Sequence, residues 1–374
     1  MHFKTLVTVE IPDTTEIDAQ INTTREIVEF RDNNTSKKSD GSSAYLGFTI
    51  SSIESTLFIN SVMEKVDEIM SPYSENTENP EYIEFIDCTK EVQSDYEECI
   101  ECLKLPEGKI VEHWMYPYFN KYSICNGQVY QKNAGLLKHE KRTKKVKKIT
   151  ALTDYPRKKL YKSFEEYVEK YHGYDFDEKH NAYGYYCNPN AMWDWYQIGG
   201  RWPAMFLVKN SCKEYFEGER SWCNEDTAFE APEGFIWVSA ARKKDIEWDK
   251  MREWEKQKAE KNFYSLEKMF SEGQLDDKVQ GQLTEEGITI WGECVYYKDE
   301  SLDEYLERCT FPKSRKYPLG FYDIVDEDDW FDKNDVVLNP DNGKFEPMDW
   351  DAFTDEYIDD LDDDTVLVCV DYHM

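Results

Sequence analysis

The sequence predicts an α+β fold: a mixed or antiparallel sheet built from the first, middle and last strands, with helices packed mainly on one face. Three observations carry this expectation. Residues 3–11 (FKTLVTVEI) alternate and are rich in β-formers, as a half-buried strand does. Residues 365–370 (TVLVCV) form a continuous apolar run, as in a strand buried on both faces. Between them, β-rich runs at 201–208 and 235–240 precede a long segment, 245–270, whose Ile246, Trp254, Phe263, Leu266 and Phe270 fall at roughly helical spacing. Strands at both ends of the chain are expected to meet in one sheet, so residues 1–374 are read as one compact unit. Its insertions are a flexible loop at 31–43, a basic loop at 138–148 and an acidic segment at 323–364.

The remaining elements follow in chain order. Residues 16–30 read as a helix, and 31–43 as an insertion rich in Asn, Ser and Lys. Residues 44–59 carry β-branched and aromatic side chains and are expected as strands; 62–70 is a short helix ending before Pro72. Residues 81–105 read as mainly helical and acidic. Asn126-Gly127 is a turn able to join two strands. Ser163 with Glu166 makes a capping-box pattern for a helix that stops at Gly173. In Asn188-Pro189-Asn190 the proline fixes φ, and Asn190 is expected to cap a short helix closed by Gly199-Gly200. Residues 288–297 and 319–325 are further strands, and Asp341-Asn342-Gly343 is a hairpin turn. Asp349 can cap a helix that buries Trp350, Phe353, Tyr357 and Leu361.

Charge bounds the function. The 374 residues carry 77 acidic and 45 basic side chains, a formal net charge of −32. Such a surface argues against direct nucleic-acid binding, which needs Lys and Arg at phosphates. The seven basic residues within 138–148 are read as a solvated strip. Between Asp323 and Asp364 stand 18 acidic and 2 basic residues, so half the net charge sits there. No stretch approaches the roughly 20 apolar residues of a membrane span, and the first residues lack a signal-peptide pattern; a cytoplasmic protein is expected. The Cys99/Cys102 pair has acidic neighbours, which raise thiol pKa and disfavour redox use. Asp326 and Asp328 lack EF-hand spacing, and neither a P-loop, a dinucleotide fingerprint nor a nucleophile elbow is present. No cofactor and no metal are expected.

The densest aromatic run lies at 183–202. Asn188, Asn190, Trp193, Asp194, Trp195, Tyr196, Arg201 and Trp202 are its candidate ligand or core residues. One reading is a core patch with an internal Asp194–Arg201 ion pair. The other is a ligand or catalytic surface joined by Asp371 and His373, which alternation places on one face of the last strand. There His373 would act as general base oriented by Asp371, Arg201 would hold an anionic substrate, and the aromatic rings would stack a base or sugar.

Several blocks occur in a fixed order: Ser71-Pro72-Tyr73-Ser74-Glu75-Asn76, Ser163 through Tyr174, Tyr183-Gly184-Tyr185, Asn188-Pro189-Asn190-Ala191, Trp193 through Trp202, Asp245 through Met251, and Val370 through Met374. Together they resemble a family of uncharacterised proteins encoded by phages, prophages and some bacterial chromosomes. Met192 and Tyr372 depart from its pattern, which has Lys and Cys there. The resemblance implies a phage or mobile-element context without a mechanism. In that context the expected partner is a host protein with a basic groove, such as a defence nuclease. The protein would inhibit it by presenting Asp326, Asp328, Asp329, Asp359, Asp360, Asp362 and Asp363 in place of phosphates. The alternative is an enzyme or nucleotide-like ligand binder using the aromatic/Asp/Arg group and Asp371-Tyr372-His373. Self-association through the aromatic surface is a third possibility.

Overall fold

The computed structural model describes residues 1–11, 42–132, 144–224, 229–276, 279–339 and 343–374. Chain contacts divide it into two units, Met1–Asn76 with Asn190–Met374, and Thr77–Pro189, where the sequence reading expects one. The reason is local. Residues 77–189 pair with one another in three small sheets and bury their own apolar clusters, around Tyr167 and around Leu103. A chain segment on the order of a hundred residues is long enough for a separate core.

The first unit is built on an eight-stranded mixed sheet. Its C-terminal strand, Val366–His373, runs antiparallel to the N-terminal strand, His2–Val9, over the full length of both. Asp323–Val325 lies parallel to the N-terminal strand on its other side. Along the second edge of the C-terminal strand, Ala240–Arg242 pairs with its first half and Trp195–Gly200 with its second. First, middle and last strands thus share one sheet, and the α+β class holds.

Alternation along these strands divides two cores. Leu6, Leu367 and Cys369 face one, together with Met251 of helix Trp248–Glu272 and Trp350 and Ile358 of helix Trp350–Asp360. Val7, Val9, Val366, Val368, Val370 and Tyr372 face the other, with Phe58, Val62, Val66 and Ile69 of helix Ser42–Met70. Helices therefore cover both faces of the sheet. The expected strands at 44–59 are part of that helix. Among its described side chains, Phe58, Val62, Val66 and Ile69 are buried at a spacing of three or four, and this spacing overrides the β-rich composition.

Other local expectations meet mixed outcomes. Ser163 Oγ accepts from the Glu166 N–H, and the chain leaves that helix at Gly173 with φ +72°. Asp349 accepts from the Ala352 N–H and caps its helix. Tyr122–Cys125 and Gln128–Gln131 pair across Asn126-Gly127. Val336–Asn339 and Lys344–Pro347 pair as a hairpin, with Asp341 and Asn342 outside the described residues. Residues 81–105 are a strand, a helix and a strand rather than mainly helix: Glu84–Asp87, Thr89–Glu97 and Cys99–Lys104. Cys99 is exposed and Cys102 buried, its thiol pushed up to about 11 by burial. The helix expected at 16–30, the loop at 31–43 up to Gly41, and the basic loop as far as residue 143 lie outside the described residues.

Candidate functional site

Asn190 caps no helix. After an irregular stretch, Trp195–Gly200 is a strand. Its side chains alternate, and this divides the aromatic run between the two faces. Trp193 and Tyr196 turn to the side covered by helix Ser42–Met70. The Trp193 indole N–H donates to the Met70 carbonyl at 2.9 Å, and the Tyr196 hydroxyl donates to Asp67 at 2.9 Å. Burial and the Asp67 carboxylate raise the Tyr196 pKa. These two rings are structural. Trp202 packs into the opposite core. Asn188 belongs to the second unit and is buried, while Asn190 is exposed.

Trp195 stays on the opposite face from Trp193. In register, His2 stands opposite His373, Lys4 opposite Asp371, and Trp195 opposite His373 on the other side. Directly paired residues share a face, so His2, Lys4, Trp195, Asp371 and His373 gather at one end of the sheet. Asp371 is fully buried. Its Oδ1 lies 2.8 Å from His2 Nδ1, and its Oδ2 accepts the Arg201 main-chain N–H at 3.0 Å. Asp194 Oδ1 lies 2.9 Å from His373 Nδ1. The two imidazole centroids are 5.0 Å apart, and the Trp195 ring stands 6.0 Å from His2. An ionised carboxylate only accepts, so each histidine donates through Nδ1 and keeps Nε2 for another partner.

Two expectations are corrected here. Asp194 pairs with His373 rather than with Arg201, and Asp371 orients His2 rather than His373. Residues two apart on a strand are separated by about 7 Å, too far for an Asp371–His373 hydrogen bond. Neighbouring strands supply the partners instead. The Arg201 side chain makes no ion pair among the described residues, and its Nε is buried without an acceptor. What Arg201 gives the site is its backbone N–H.

Gly199 and Gly200 close no helix; they turn the chain over Asp371. Gly200 has φ +53°, and a Cβ there would stand 2.5 Å from the Asp371 side chain. Only glycine lets the backbone approach this closely. The Ser221 N–H and the Asn224 side chain hold the turn by donating to the Gly200 carbonyl, at 3.1 and 3.0 Å.

Next to His2 opens a cleft of about 510 Å³ whose walls include Lys4, Trp202, Phe321, Tyr322 and Lys333. Cys369, two residues before Asp371, is wholly buried and its thiol is pushed up to about 12, so it is no nucleophile. Among the described residues no group of three His, Cys, Asp or Glu side chains is placed to hold a metal ion.

The acidic segment is partly consumed by the fold. Asp326 accepts the Asp328 and Asp329 N–H groups and the Tyr357 hydroxyl. Asp359 pairs with Lys316 and takes the Tyr317 hydroxyl at 2.6 Å, bonds that hold its carboxyl below the usual range. Arg315 joins Asp351 and Asp355, and Lys244 joins Asp364. Asp328, Asp329, Asp360, Asp362 and Asp363 are exposed and make no ion pair among the described residues. No helix among those residues is long and apolar enough to cross a membrane.

Comparison with family models, curated proteins and solved structures finds no match for this chain.

Proposed function

We propose that the first unit binds a small substrate at the end of its sheet and moves protons on it, with His2 and His373 as the acid–base pair. The observation that supports this reading is the pair of imidazoles 5.0 Å apart, each tethered at Nδ1 by its own aspartate. A neutral ring takes a proton at Nε2 and a protonated ring returns one, and histidine does both near neutral pH. Two rings on one small surface suit a displacement in which one removes the proton of an attacking hydroxyl or water while the other protonates the leaving oxygen. A phosphate diester fits that division of labour. Asp194 and Asp371 fix ring orientation and tautomer, and Trp195 offers a flat wall.

The test is hydrolysis of bis(p-nitrophenyl) phosphate across pH 5–9. The reading expects turnover that is lost in both His2→Gln and His373→Gln while their circular dichroism is unchanged. Turnover surviving in either variant contradicts it.

A second reading rests on a different observation, the five exposed aspartates without ion pairs. In it, an acidic phage or mobile-element protein occupies the basic groove of a host factor. It requires salt-sensitive binding to a basic nuclease that is lost when Asp360, Asp362 and Asp363 become Asn. Binding that is indifferent to salt or to these substitutions removes it.

A further inference from the structure

We propose that the cleft beside the histidine pair is a nucleoside-phosphate site, in which Lys4 takes the phosphate and the aromatic wall of Trp202 and Tyr322 takes the base. As a statement about the substrate this rests on the acid–base reading; as a statement about binding it does not. In a chain of net charge −32, a lysine is expected to find a carboxylate. Lys4 is half-buried, and burial lowers its pKa. Among the described residues its ammonium meets no carboxylate or hydrogen-bond acceptor; its one cationic contact is the Phe321 ring, 5.5 Å away. Asp371 stands opposite in register, but its two oxygens already serve His2 and Arg201. An ammonium in that position is unfavourable unless something anionic joins it.

The rest of the cleft has the same sign. Lys333 lines it, exposed and without an ion pair among the described residues. The carboxylate in the wall, Asp351, is held by Arg315 at 2.5 Å. Two uncompensated cations thus face one opening. Its volume of about 510 Å³ is that of a ligand pocket rather than of a single ion. Aromatic walls beside cations favour a planar ring joined to an anion, because rings stack on bases and ammonium groups bind phosphate. Lys4 and His2 lie two residues apart on one strand, about 7 Å. A phosphate held at Lys4 would place its ester linkage within reach of the imidazoles.

Titration calorimetry with AMP, adenosine and inorganic phosphate tests this. AMP is expected to bind more tightly than either fragment. Lys4→Met is expected to weaken AMP about 10- to 100-fold, the worth of one charge-assisted hydrogen bond, and to raise the melting temperature, since a half-buried unpaired charge is gone. Lys4→Arg should keep most of the affinity. Lys333→Ala, at an exposed position, should weaken AMP in the same direction and serves if Lys4→Met does not fold. No AMP binding by the wild type, or equal affinity in Lys4→Met, overturns the proposal. His373→Gln separates the two readings, because His373 is outside the cleft wall. It should bind AMP normally yet lose diester turnover. A wild type that binds AMP but hydrolyses no diester removes the acid–base reading and leaves the cleft.

Discussion

Asp371 and Asp323 are both fully buried in one sheet, on opposite faces, and they meet different kinds of partner. Asp371 is met by a ring nitrogen and a backbone N–H, and through His2 it reaches the surface. Asp323 is met by two hydroxyls, Tyr372 at 2.6 Å and Thr5 at 3.3 Å, beneath helix-covered core. Burial pushes its carboxyl up to about 7. Under the acid–base proposal, burial is common to both carboxylates and does not by itself give either a function. What matters is whether its donor is a group that can pass a proton outward.

The largest effect that would sharpen this contrast is on turnover. His2→Gln or His373→Gln should lower kcat about 10²- to 10⁴-fold, the usual worth of a positioned acid or base, with little change in melting temperature. Asp323→Asn should leave turnover unchanged and alter the pH dependence of stability. Its folded pKa lies above the ordinary carboxyl value of 3.8, so the folded state binds the extra proton. That contribution is fully present below pH about 4 and is lost as pH rises through about 7. Urea titrations at pH 4 to 8 should therefore show the wild type losing stability relative to Asp323→Asn. The loss is at most about 4 kcal/mol for a shift of about three pKa units.

Gly200→Ala attacks the Asp371 side of the comparison through the backbone. A methyl group 2.5 Å from Asp371, at positive φ, should cost at least about 2 kcal/mol, read as a lower urea midpoint. The smallest effect on stability belongs to Asp194→Asn. Asp194 and His373 are both more than a third exposed, and such surface pairs contribute under about 1 kcal/mol. If Asp194 orients the ring, however, kcat should fall while unfolding hardly moves. A matching loss of stability would make the pair structural.

Much of the frame was legible in the sequence, and for a physical reason. Strand alternation in residues 3–11, the apolar run at 365–370 and the caps at Ser163 and Asp349 are local signals, and the fold obeys them. Residues 44–59 are helical although their composition is β-branched, because the helix they belong to buries Phe58, Val62 and Val66 at a four-residue spacing. The expected helix after Asn190 failed for the converse reason. Within Trp195–Gly200, Tyr196 and Ile198 face one side and Trp195 and Gln197 the other, a period of two, so the proline-asparagine turn is followed by a strand. Asp194, Asp371 and His373 do meet at one end of the sheet, but their pairing depends on register between distant strands. His2 carries no motif, being a single histidine at the start of the first strand. Its signal was indirect: if the first and last strands pair antiparallel, position 2 faces position 373.

The central claim is that both imidazoles are held by aspartate through Nδ1 with Nε2 free, and ¹⁵N NMR of the histidine rings measures it most directly. The account predicts that His2 and His373 in their neutral forms both carry the proton on Nδ1, and that Asp371→Asn and Asp194→Asn disturb His2 and His373 respectively. Rings protonated at Nε2, or resonances indifferent to those substitutions, would contradict it.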